Sequence, residues 1–182
     1  MNRLIAIAVG LALLAACAGR TPSGALLAPE TRRLSAEPAR AWEIAIQVLT
    51  EQGYPLEVRD QEAGLLETAW IPSNPGYRAT LFVTEHEDRY SDCGKPGFGR
   101  AFQGKDVQLR LQVSPHRRGG TSLTVEARFR SRRYLGAPMA IGAPRKDFPC
   151  HSRGRLEDEL AGRIQLQVWG EQLDRLRRGQ QP

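Results

Sequence analysis

The residues here that could do chemistry are three cysteines, three histidines, clustered acids and a dense run of arginines. Gly99-Arg100-Ala101-Phe102-Gln103-Gly104-Lys105 has the first seven positions of a phosphate loop. The eighth should be Ser or Thr to hold magnesium and is Asp106, and the stretch follows a polar loop instead of a strand, so a nucleotide site is excluded. His86 sits with Glu85, Glu87 and Asp88, but neighbours in sequence cannot all converge on one ion, and His116 and His151 lack ligand spacing; no metal site is expected. No serine lies in a Gly-x-Ser-x-Gly elbow, and the acids at 157–159 fit the first turn of a helix. No catalytic constellation and no cofactor site follow, and the chain reads as a non-enzyme. What remains is an arginine row, Arg128, Arg130, Arg132 and Arg133. It is either a solvated sheet face or a platform for an anionic lipid or a partner's acidic surface.

The cysteines say more. Asn2 and Arg3 open the chain, residues 4–16 are uninterrupted apolar or small, and Leu14-Ala15-Ala16 precedes Cys17. That is the layout of an export signal, and the apolar run falls short of the roughly 20 residues that cross a bilayer as a helix. Leu-Ala-Ala-Cys resembles the lipobox of bacterial lipoproteins, against the alternative of an ordinary signal with a chance cysteine. The resemblance implies cleavage after residue 16 and acylation of Cys17. Ala18 in place of Asp implies outer-membrane sorting, with the domain facing the periplasm. Export leaves Cys93 and Cys150 as the only other thiols in an oxidising compartment, where a disulfide is expected in preference to two buried free thiols. The formal charge of +6 drops by one when Arg3 is removed with the signal. A basic periplasmic protein meets anionic headgroups and cell-wall polymers, so neither nucleic acid nor nucleotide is expected as a partner.

The elements that must position these residues follow from periodicity. Residues 17–34 have no period and read as a flexible tether, leaving 35–180 as one domain. Ser35 is the expected N-cap of a helix whose apolar residues Trp42, Ala45, Ile46 and Leu49 recur at helical spacing, ended by Gly53 and Pro55. Short strands are expected at 56–59, 65–71 and 77–84. After a loop over 85–105 comes a hairpin: Val107, Leu109, Leu111 and Val113 alternate, residues 115–120 turn, and Leu123, Val125, Ala127 and Phe129 alternate again. A second loop over 135–152 precedes a long helix from about 154 to 178, with Gly179 beyond it. The expected class is α+β, an antiparallel sheet of about five strands with an N-terminal and a long C-terminal helix on one face. Trp42, Trp169 and Phe129 are expected to fill the space between helix and sheet.

Residues 41–70 resemble the repeat unit of the BamC (NlpB/DapX-type) lipoproteins of outer-membrane barrel assembly. The matching residues are Ala41-Trp42, Leu49, Gly53, Asp60, Gly64, Leu66, Thr68 and Trp70. The likeness implies a helix-grip domain. It departs in having room for one domain, where those proteins carry two, and in the Cys93/Cys150 pair. The expected function is a lipid-anchored periplasmic accessory or adaptor for envelope proteins, with outer-membrane assembly as the suggested setting. The alternative is a lipid or small-ligand binding module that uses a cleft between sheet and helix.

Overall fold

The computed structural model describes residues 29–72, 89–94, 100–135 and 144–179, with the side chains of 100–103 and 134–135 outside that description. Ten elements follow one another: β1 (Glu30–Leu34), α1 (Pro38–Glu51), β2 (Leu56–Asp60), β3 (Leu65–Thr68), β4 (Ile71–Pro72), β5 (Ser91–Asp92), β6 (Arg100–Pro115), β7 (Thr121–Leu135), β8 (Arg145–Ser152) and α2 (Arg155–Arg177). The class is α+β, an open antiparallel sheet with two helices.

The β6–β7 hairpin is the spine, in register from Arg100↔Leu135 to Pro115↔Thr121. β3 and then β4 pair with the outer edge of β6, and β2 continues beyond β3. On the outer edge of β7, β1 takes the first part and β8 the rest, with β5 beyond β8. Among the described residues the sheet therefore has eight strands, not about five. Residues 30–34, assigned to the tether from sequence, are β1, and residues 145–152, assigned to a loop, are β8. The expected strand at 77–84 lies outside the described residues, as does His86.

The alternation in β6 and β7 does what it should. Val107, Leu109, Leu111, Val113, Leu123, Val125, Ala127 and Phe129 are buried, and α1 and α2 cover them with Trp42, Ile44, Val48, Leu160, Ile164 and Val168. At about 1.5–3 kcal/mol for each fully buried large side chain, this one cluster dominates the stability of the domain. α1 starts at Pro38 with Glu37 as its N-cap, two residues later than the Ser35 cap expected. The Ser35 hydroxyl is engaged elsewhere, donating to Gln172 Oε1 at 3.0 Å. Gly64 turns β2 into β3 at φ +66°, and a Cβ there would lie 1.9 Å from the Val113 carbonyl oxygen, so the turn needs glycine.

Candidate functional site

β7 sends alternate residues to opposite faces, and this divides the arginine row. Arg128, Arg130 and Arg132 lie on the face away from the helices, whereas Arg133 is buried on the other. Arg130 Nε meets Asp106 Oδ2 at 3.1 Å and Arg132 Nη2 meets Asp106 Oδ1 at 2.6 Å, around a carboxylate that is itself buried. Arg130 also pairs with Asp147 at 3.3 Å, and its guanidinium stacks on Trp70, 4.3 Å from the ring centroid. Arg128 pairs with Glu126 at 3.0 Å, and the bond to Glu126 raises its pKa. On this face every arginine of the row already has a carboxylate, so an acidic partner would compete with bonds in place.

Arg133 has a structural setting. It donates to Ser131 Oγ at 3.1 Å and to the carbonyls of Cys93 and Gly94, and it lies against Phe148. Those carbonyls flank the disulfide, for Cys93 and Cys150 are bonded to each other. The bond joins the end of β5 to β8, and β5 and β8 also pair directly. Cys17 lies outside the described residues.

A second feature was not visible in the sequence. Along the outer edge of β7, β1 ends its pairing at Val125 and β8 begins at Phe129. Glu157, in the first turn of α2, enters that gap, and its Oε1 accepts from the Ala127 amide at 3.3 Å and from Ser152 Oγ at 2.6 Å. A cleft of about 590 Å³ opens beside it, within the range of small-ligand pockets. Pro29, Trp70, Phe129, Phe148, Pro149 and Glu157 are among the residues that line it. Glu157 Oε2 is buried without a hydrogen-bond partner. The space between the helices and the sheet, by contrast, is filled by the core.

Two further surfaces stand out. At the β6–β7 turn a shallow depression of about 650 Å³ is lined by Arg33, Ser114, His116, Arg117, Arg118 and Ser122, with no carboxylate among them. On α2, Leu166, Trp169, Leu173 and Leu176 are 48–63% exposed and form a stripe opposite the face that packs on the sheet. Trp169 was expected in the core and is not there. The helix has apolar residues on two faces, and periodicity alone does not say which one the sheet covers.

Among the described residues no group of His, Cys, Asp and Glu is placed to hold a metal ion, and no helix is long and apolar enough to cross a membrane. A scan against protein-family models matched none, and a search of curated proteins returned no match.

Proposed function

We propose that this chain is a lipid-anchored, non-enzymatic accessory domain of the bacterial envelope, held to the outer membrane through Cys17 and working on the periplasmic side. One observation carries the reading. With Cys93 and Cys150 bonded to each other, the cysteine that follows Leu14-Ala15-Ala16 is the one left over, and it sits where acylation would act. A disulfide also suits an exported protein. The helix, sheet and long C-terminal helix, with Ala41, Trp42, Leu49 and Leu66 in the core, agree with a helix-grip domain of the BamC kind. Its partner would be an envelope protein, and an acidic surface on it could use the arginine face of β7 only by displacing the carboxylates that Arg128, Arg130 and Arg132 already hold. The test is gentle cross-linking of envelopes, purification of the full lipidated chain and mass spectrometry. Stoichiometric recovery of a barrel-assembly subunit supports the adaptor role, and recovery of lipid with no protein sinks it.

A second reading is favoured by the cleft at the β1/β8 gap. Three aromatic walls and a buried carboxylate oxygen without a partner suit a small ligand with an apolar body and a hydrogen-bond donor. Such a module would bind at the sheet edge instead of between helix and sheet. Native mass spectrometry of the protein taken from envelopes would reveal a retained small molecule, and an empty cleft in every preparation would remove this reading.

A further inference from the structure

We propose that one end of the domain, formed by the β6–β7 turn and the last turns of α2, docks on an anionic lipid bilayer. Trp169, Leu173 and Leu176 would enter the headgroup region, and Arg33, Arg117, Arg118, Arg177 and Arg178 would meet phosphates.

β1 joins the two parts of this end. Arg33 donates from Nε to the Gly119 carbonyl at 3.2 Å and from Nη2 to the Arg118 carbonyl at 2.7 Å, which seats it on the turn. Leu34 pairs with Thr121, and Thr121 Oγ1 donates to the Ala36 carbonyl at 2.7 Å. Two residues after Arg33, Ser35 exchanges two hydrogen bonds with Gln172 of α2, at 3.0 and 3.3 Å. The carboxylate-free arginine depression and the C-terminal third of α2 are therefore neighbours.

The stripe on α2 steps by three, four and three residues from Leu166 to Leu176, on the side away from Leu160, Ile164 and Val168. Arg175 and Arg177 are 3.8 Å from Glu171 and Asp174, loose pairs that leave the end of the helix basic once Arg178 is added. Exposed leucines beside a tryptophan, with arginines flanking them, are the composition of a helix lying in a bilayer interface. The charge sign selects anionic headgroups. Reach agrees. Twelve residue steps lead from Cys17 to Pro29, and at about 3.3–3.6 Å each they can reach at most roughly 40 Å, more than the ~35 Å length of α2. The proposal rests on the lipid-anchor reading in that it takes the bilayer holding Cys17 as the surface met.

The test uses the full chain as matured in bacterial envelopes, reconstituted into phosphatidylethanolamine–phosphatidylglycerol vesicles brominated on the acyl chains. Trp42 is buried in the core and Trp70 is stacked on Arg130, so quenching by bromine reports on Trp169. The expected result is quenching that disappears in Trp169→Phe, weakens at high salt, and is absent in brominated phosphatidylcholine. Arg117→Gln with Arg118→Gln should weaken docking by about fivefold per arginine at low salt. Equal quenching in Trp169→Phe, or quenching indifferent to headgroup charge, overturns the proposal. So does its absence when Leu173→Cys copies cross-link to each other, which would assign the stripe to a second copy. Failure of the anchor reading shows separately, as a Cys17 peptide without acyl mass.

Discussion

Leu109 and Ala127 face each other across the β6–β7 ladder, and each sends an amide outward to a side chain where a neighbouring strand is missing. Thr68 Oγ1 accepts the Leu109 N–H at 2.9 Å, where the pairing of β3 with β6 has ended and that of β4 has not begun. Glu157 Oε1 accepts the Ala127 N–H between β1 and β8. A buried amide must be paired, and at this rung two side chains take the place of two strands.

Removing either acceptor should therefore cost the full penalty of an unsatisfied amide, about 1–3 kcal/mol. Thr68→Val keeps shape and loses the acceptor, while Thr68→Ser keeps the acceptor. The first should lower the urea midpoint clearly and the second only slightly. Equal effects of the two variants would mean that the methyl, not the hydroxyl, is what matters. Glu157→Leu should destabilise comparably and release Ser152 as well.

Asp106 holds Arg130 and Arg132 together from a buried position. Asp106→Asn leaves two guanidinium groups side by side around a neutral amide, with the charge that held them removed. Because the arginines remain partly exposed, a loss of about 1–3 kcal/mol is expected, between surface and buried pairs. Combining it with Arg132→Met should recover part of that loss in a double-mutant cycle. Strict additivity of the two changes would show that the pair is not coupled.

Reduction of Cys93–Cys150 should destabilise the domain by up to roughly 4 kcal/mol, from the entropy of closing a loop across 57 residues. Hydrogen exchange should rise first in β5 and β8, which the bond joins. Denaturation midpoints that do not move with reductant would contradict this.

Arg40 binds Glu171 through Nε at 2.8 Å and ties α1 to α2. That bond is the main cause of a Glu171 pKa below its ordinary value of 4.5, with burial opposing it. A depressed folded-state pKa means stability that is present above the unfolded value and lost as pH falls through the folded one. Stability should therefore decline below about pH 4.5, where unfolded glutamates begin to take up protons. Arg40→Met should flatten that decline while leaving the fold intact, as followed by thermal melts from pH 3 to 7. Glu159, lowered by its bonds to Arg155 and Tyr90, would supply the residual slope.

Gly64 and Gly53 both have positive φ, at +66° and +78°, but only Gly64 is crowded. Gly53→Ala should cost about 1–2 kcal/mol for the left-handed backbone alone. Gly64→Ala should cost distinctly more, because Val113 must move as well. Equal losses in thermal melts would mean that the β2–β3 turn can shift away from β6.

The sequence by itself determined the elements whose order is local. Helical spacing in α1 and α2, and strict alternation in β6 and β7, mark faces that must be buried, and those four elements form the body of the domain. Cysteine arithmetic likewise named the Cys93–Cys150 bond. What tertiary structure decided is everything that depends on a distant edge. β1 (Glu-Thr-Arg-Arg-Leu) and β8 (Arg-Lys-Asp-Phe-Pro-Cys-His-Ser) are polar and carry no clean period, because they are strands only by pairing with β7. Their failure to meet along β7 creates the gap that Glu157 plugs and the cleft beside it. Arg133 parted from its neighbours because one residue along a strand is the opposite face. Trp169 went to solvent because α2 is apolar on two sides and the sheet can cover only one.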